Sequence, residues 1–250
     1  MLPADLQRAL TAAAATPRLL VSSDFDGTLA PIVSHPADAR PLADAADALA
    51  SLADIPQTAS ALISGRALEV LRELSALPPA VHLVGSHGAE FASGFTHDID
   101  RGLLDRITAE LDAIAADRPG VTVETKPASV ALHVRNASAD DGEAALAAAR
   151  AASTAWDAQL TEGKAVLEFA VIQTDKGQAV DILRSQEKAT TVVFFGDDVT
   201  DEKAFRRLGG DDVGVKVGPG ETLATYRVDS PEDVAAALKF LLDARRSQSG

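Results

Sequence analysis

Compact apolar runs separated by helix-length stretches recur at both ends of this chain, and that alternation constrains its fold more than any other feature. "RLLVSSDF", "TASALISG" and "VHLVGSHG" are short runs of the kind buried on both faces of a parallel sheet. Between them, "PLADAADALASLA" and "RALEVLRELSAL" place Leu and Val at helical spacing. The rhythm returns near the C-terminus, where "KGQAVDILRSQ", "TTVVFFGDD", "TDEKAFRRLG", "VGVKVG" and "SPEDVAAALKFLLDARR" alternate helix with strand. Asp233 suits the first turn of that last helix, and Arg245 and Arg246 its last. Units in this order imply an α/β fold, a doubly wound parallel sheet with helices on both faces.

The middle departs from the rhythm. A helix over "LLDRITAELDAIAA" leads into "VTVETKPASVALHVR", two alternating strands broken by Pro127. A second Ala-rich helix, about 140–156, takes in Trp156 as a core residue, and the strand "AVLEFAV" follows. Helices with an antiparallel sheet suggest an α+β insertion at 98–173, splitting a core made of 1–97 and 174–250. The opening "MLPADLQRALTAAAATPR" reads as a first helix, and "RRSQSG" at the end as a frayed tail.

Composition narrows the partners. A net charge of −14 over 250 residues would repel nucleic acid and acidic lipid, so neither is expected. A small anionic substrate then needs a metal or placed cations to invert the field locally. The chain has no cysteine, which excludes thiolate metal sites and a cysteine nucleophile. No apolar run approaches the ~20 residues that span a bilayer. Asp5 and Arg8 in the Ala-rich opening argue against a signal peptide, so a cytoplasmic protein is expected.

Two acidic clusters fall at strand ends. Residues i and i+2 of a strand share a face. Asp24 and Asp26 of "DFDGTL" are thus expected to project together at the carboxyl end of the first core strand, where open α/β sheets bind ligands. "GDDVTDE" brings Asp197, Asp198 and Asp201 to the end of "TTVVFF". A few carboxylates with room left for water and phosphate oxygens is the donor pattern that suits Mg2+. A calcium loop over "DFDGTLAPIVSH" fails, since its glycine stands fourth rather than sixth and its twelfth residue is His35. A carboxylate beside a metal is a competent nucleophile toward phosphorus, and a second carboxyl can protonate the leaving alkoxide and then take a proton from water. Thr28, Ser64 and Lys176 stand at element ends where they can grip phosphoryl oxygens. An isolated Asp-x-Asp-Gly is commonly a solvated turn; the second cluster and the intervening "SGR" weigh against that reading here.

Taken in order, "DFDGTL", "ISGR", "DKG" and "GDDVTDE" resemble the four motifs of haloacid-dehalogenase-type (HAD) phosphatases. That resemblance implies a HAD-like, Rossmann-like core, and the insertion between the second and third motifs matches the superfamily's larger cap type. Within it, "GSHGAE" (85–90), "ETKPASVALHVR" (124–135), "LEFAVIQTDKG" (167–177) and "GDDVTDEKAF" (196–205) look like signatures of the trehalose-6-phosphate phosphatases. The resemblance implies Asp24 as nucleophile and Asp26 as general acid and base. Mg2+ would be held by Asp24, the backbone carbonyl of Asp26 and Asp197, with Asp201 close behind. Thr28, Ser64 and Lys176 would grip the phosphate with Arg66 nearby, while Glu124, Lys126 and Glu168 would hold the distal glucose. His87 and Glu90 would belong to a core loop near the sugar. The implied reaction is hydrolysis of trehalose 6-phosphate, with a mobile cap closing over the phosphorylated disaccharide and a functional link to a trehalose-6-phosphate synthase. At the return from the insertion the chain departs from the family pattern, with Val171 and Gln173 where a proline and a glycine are common.

The insertion's strands bear on the sugar independently. Val121 and Val123 share one face while Glu124 and Lys126 share the other; Val130, Leu132 and Val134 oppose Ser129, His133 and Arg135. A polar face of this kind either reads a sugar or is simply solvated, and the pattern alone leaves both open. Ser86-His87 lacks the G-x-S-x-G elbow of a serine hydrolase. "GVKVGPG" is a strand and turn rather than a dinucleotide fingerprint, and His35, His82 and His97 have no metal-ligand spacing. The rival readings are a sucrose-phosphate or glycosyl-phosphoglycerate phosphatase, a non-catalytic sugar-phosphate sensor, and a phosphoryl-transfer mutase.

Overall fold

The computed structural model describes residues 2–248. In its first part α1 (Ala4–Ala14), β1 (Leu19–Ser23), α2 (Ala43–Ala53), β2 (Thr58–Ile63), α3 (Leu68–Ser75) and β3 (Val81–Val84) follow one another, then the two-residue strands β4 (Glu90–Phe91) and β5 (Gly94–Phe95). The middle holds α4 (Arg101–Ala115), β6 (Thr122–Lys126), β7 (Ser129–His133), α5 (Ala139–Ser153), β8 (Gln159–Gly163) and β9 (Val166–Ala170). Last come α6 (Lys176–Glu187), β10 (Thr191–Gly196), α7 (Asp201–Phe205), β11 (Val213–Val217), β12 (Tyr226–Val228) and α8 (Pro231–Gln248). Two compact units result, one taking the chain up to Gly94 and again from Thr174, the other Phe95–Gln173.

The first unit is built on a six-stranded parallel sheet in the order β12-β11-β10-β1-β2-β3. Alternation along the strands sorts its two faces. Val21, Val193 and Phe195 pack with Leu6, Leu49, Leu52 and Leu238 from α1, α2 and α8. Leu20, Val192 and Phe194 pack on the other face with Val180 and Leu183 of α6 and Phe205 of α7. β1 is buried along its whole length, as a central strand covered on both faces must be.

Arg245 sits under this packing. Nearly inaccessible to solvent, it donates to the carbonyls of Ala14, Thr16 and Gln57 and to Thr58 Oγ1, tying the ends of α1 and the start of β2 to α8. Hydrogen bonds from a charged donor contribute more than neutral ones, and buried acceptors left bare are costly, so Arg245→Met is expected to lower stability by about 2–4 kcal/mol. The urea midpoint of unfolding checks this, and an unshifted midpoint would refute it. α8 runs through Gln248, so Arg245–Gln248 are helical where a frayed tail is expected from the sequence; Ser249 and Gly250 lie outside the described residues.

α7 is shorter than "TDEKAFRRLG" suggests. After Phe205 the bonds tighten to Arg207 N–H on Ala204 and Leu208 N–H on Phe205, and Gly210 (φ 62) ends the turn.

The second unit carries a four-stranded antiparallel sheet, β6-β7-β9-β8, with α4 and α5 on its apolar face. Asp100 and Ser138 cap the two helices. β8 is a fourth strand that the alternation of apolar residues does not predict. Trp156 is buried, but it lies beyond the end of α5 rather than within it, edge-on to Phe169 at 4.9 Å. No helix among the described residues is long and apolar enough to cross a membrane.

Candidate active site

The carboxyl ends of β1 and β10 are neighbours, and each delivers acid. Asp24 extends β1 by one more bond, its N–H donating to Phe195 O at 2.9 Å. Its carboxylate is almost fully buried and meets Lys176 Nζ at 2.8 Å. Lys176 is the first residue of α6, whose start is capped by Asp175, so the helix end aims the ammonium. The same ammonium binds Asp201 Oδ1 at 2.8 Å. Asp201 Oδ2 accepts the N–H groups of Asp197 and Asp198 at 2.9 and 3.0 Å, which folds the acidic loop around it.

Asp24, Asp197 and Asp201 each offer an oxygen within 4.8 Å of the others. Gly27, at φ +82, is what lets the two loops meet: a Cβ there would lie 2.3 Å from Asp197 Oδ2. Thr28 is buried and its Oγ1 donates to Asp197 Oδ1 at 3.2 Å.

Charge in this cluster is unbalanced. Burial pushes Asp24 well above the usual carboxylate range, reinforced by the charges of Asp201 and Asp198 and only partly opposed by Lys176. Burial likewise raises Asp197 to about 6, with Asp201 and Asp198 adding to it. Asp198 is also desolvated, but Lys176 and two bonds from Thr200 outweigh that and hold it low. Lys176 is desolvated too, yet the carboxylates around it raise its affinity for the proton. A divalent cation with oxygen ligands fits such a set, because it supplies the positive charge that one ammonium does not. Both oxygens of Asp201 already have donors, which suits a place behind the ligands rather than among them.

Asp26 lies apart from this pairing. β1 ends at Ser23, so strand alternation does not carry through to Asp26, which forms an isolated bridge with Ala30. Its carboxylate is gripped by Arg66, Nε to Oδ2 and Nη2 to Oδ1, both at 2.6 Å. Arg66 also stacks over Phe25 at 5.4 Å. The two aspartates thus have separate cationic partners, Lys176 and Arg66. Ser64 is buried, and its Oγ accepts the Arg66 N–H at 3.2 Å. His87 lies against Gly65, and Glu90 Oε2 accepts from Leu68 N–H and Ser86 Oγ.

In the second unit the register β6-β7-β9-β8 aligns Glu124, Ala131, Glu168 and Thr161 across the sheet, and next to them Lys126, Ser129, Ala170 and Gln159. Directly paired residues share a face, so Glu124, Lys126 and Glu168 come together on one side. Lys126 Nζ is 3.0 Å from Glu168, Ser129 Oγ donates to Glu168 at 2.6 Å, and His133 Nε2 pairs with Glu124 at 2.8 Å.

Lys216 is a participant that sequence reasoning missed. Buried in β11, it donates to the carbonyls of Asp197 and Val217, pinning the point where β10 turns into the acidic loop. A lone lysine in the apolar run "VGVKVG" was the available signal.

The chain is similar to known proteins in sequence and in fold. A family profile described as trehalose-phosphatase matches residues 22–232. The chain is 35% identical over 231 residues to the trehalose-6-phosphate phosphatase of Escherichia coli strain K12, covering 88% of this chain and 85% of that protein. It is 36% identical over 237 residues to the trehalose-phosphate phosphatase of Mycobacterium marinum, again over 88% of this chain but spanning only 60% of that relative's length. A crystal structure of a trehalose-6-phosphate phosphatase related protein superposes with a TM-score of 0.77 at 26% identity, covering 91% of this chain and 99% of the other. A phosphatase of the HAD superfamily from Bacteroides thetaiotaomicron shares the fold at TM-score 0.63 and 15% identity, over 90% of this chain and 95% of that one.

Proposed function

The chain belongs to the trehalose-phosphatase family, and from that premise we propose that it hydrolyses trehalose 6-phosphate to trehalose and inorganic phosphate. The observation that carries the reading is Asp24, buried at the end of β1, paired with Lys176 and surrounded by further carboxylates.

In the proposed reaction an Asp24 oxygen attacks phosphorus while the bond from phosphorus to the sugar oxygen breaks. For this step Asp26 must carry a proton on an oxygen released by Arg66; it gives that proton to the sugar oxygen, so trehalose leaves with its hydroxyl restored. Asp26 then takes a proton from water, whose oxygen attacks the phosphorus of the aspartyl-phosphate; the bond to Asp24 breaks and its carboxylate returns. Thr28, Ser64 and Lys176 hold the phosphoryl oxygens, with Arg66 beside them. Asp24, Asp197 and the carbonyl of Asp26, backed by Asp201, would hold Mg2+, which when bound supplies positive charge to the phosphoryl group. Glu124, Lys126 and Glu168 are assigned to the distal glucose, and His87 to a core loop that serves the sugar.

Phosphate release from trehalose 6-phosphate tests this directly. Activity is expected with Mg2+, loss after full chelation and recovery on adding Mg2+ back; turnover that survives chelation would contradict the metal assignment. Sugar reading has its own test. Glu124→Ala should lower kcat/KM for trehalose 6-phosphate by about 10- to 150-fold, the worth of a charged hydrogen bond, and leave an aryl phosphate nearly unchanged. Equal losses on both would remove Glu124 from the sugar site.

A further inference from the structure

The loop after β3 holds two successive non-glycine residues in left-handed backbone, Ser86 at φ 50 and His87 at φ 55. Side chains rarely adopt that conformation, and where they do the neighbouring structure compels it. Here the turn aims both amides at the loop leading into α3: Ser86 N–H donates to Arg66 O at 2.7 Å and His87 N–H to Ser64 O at 3.0 Å. Ser64 N–H in turn donates to Val84 O at 2.9 Å. Two glycines permit the close approach. A Cβ on Gly65 would lie 2.4 Å from His87 Cε1, and one on Gly85 would lie 2.5 Å from Leu68 N.

Glu90 closes the knot. Its Oε2 accepts the N–H of Leu68, the first residue of α3, at 2.7 Å and the hydroxyl of Ser86 at 3.3 Å. One carboxylate therefore ties the strained turn to the start of the helix, with Arg66 held in between. The Arg66 side chain leaves that clamp to take both oxygens of Asp26.

We propose that Glu90 is a positioning residue: it fixes the 64–68 loop, and through it Ser64 and the Arg66–Asp26 pair, without touching substrate. This departs from its expected place beside the sugar, and it rests on the reading of Ser64 and Asp26 as groups that serve the phosphoryl centre. Those groups meet every alkyl phosphate alike, since each has an alkoxide to protonate, so among alkyl phosphates the effect of Glu90 must be blind to the sugar.

The test compares Glu90→Ala and Glu90→Gln on trehalose 6-phosphate and on glycerol 1-phosphate, which lacks the sugar but has an alkoxide leaving group, with folding checked by circular dichroism. Glu90→Ala is expected to lower kcat at least about tenfold on both substrates by a similar factor, with KM for the sugar phosphate little changed. The amide oxygen of Glu90→Gln still accepts both donors, so that variant should recover to within about threefold of the parent on both. A loss confined to trehalose 6-phosphate, a loss carried by KM, or no loss at all would overturn the proposal. Should Glu90→Ala fail to fold, Glu90→Gln decides: near-parental rates on both substrates support it, and a deficit on the sugar phosphate alone overturns it. A parent protein inert toward both substrates would sink the underlying reading, and this inference with it.

Discussion

Asp24→Asn should abolish turnover of trehalose 6-phosphate, lowering kcat by at least about 10⁴-fold, because an amide oxygen is no nucleophile toward phosphorus. The exchange is nearly isosteric, and the backbone bond of Asp24 to Phe195 O is untouched. Stability should move the other way. Burial and the neighbouring acids hold the Asp24 proton tightly, which means that ionising this carboxyl in place is unfavourable. A neutral asparagine escapes that cost and can still accept from Lys176, which keeps Asp201 as its ion partner. The metal-free variant is therefore expected to melt at or above the parent's temperature while being inactive. Single-turnover phosphate release and thermal unfolding measure the two effects. Parental turnover in the folded variant would remove Asp24 from the role of nucleophile.

Lys176→Met should fail on both counts. The ammonium bonds Asp24 and Asp201 at 2.8 Å each, and all three groups are buried. Removing one partner of a buried ion pair leaves the other uncompensated, a loss of about 3–5 kcal/mol. Removing a donor from a transferring phosphoryl group lowers kcat by a further ~10²–10³-fold. The stability deficit should also depend on pH. Without Lys176 both carboxylates are pushed further up, so near neutrality they are buried as anions or must bind protons that the unfolded chain does not hold. The deficit is thus largest at neutral pH and shrinks as acid neutralises them. Denaturant midpoints at several pH values test this; a deficit that does not change with pH would mean that Lys176 matters through packing alone.

The parallel core was legible because its strands are short, mostly apolar and separated by helices with clear periodicity, as Leu19, Leu20 and Val21 of β1 show. β8 escaped because "QLTEG" has one apolar residue and gains its place from pairing with β9 rather than from its own pattern. The Ala-rich run gives no internal stop and so predicts a helix through Trp156, whereas the chain leaves α5 after Ser153 and turns the indole onto Phe169. In the site, Asp24, Lys176, Asp197 and Asp201 could be grouped from their positions at element ends. The pairing of Arg66 with Asp26 could not, because it depends on how two loops turn after their strands stop. Lys216 was hidden by the same logic that found the strands, since alternation records which residues are buried and not what a buried ammonium binds.

The split of the first unit shapes how the chain can fold as it emerges from the ribosome. Central strand β1 finds Thr58 of β2 opposite Leu19 early, but its other edge waits for Thr191 of β10. Until then half of its hydrogen-bonding groups face no strand, while Phe95–Gln173, being continuous, can close its own apolar cluster first. A nascent chain stalled before β10 would thus carry one finished piece and one open sheet edge, which makes that interval the point in its synthesis at which it is most exposed to aggregation.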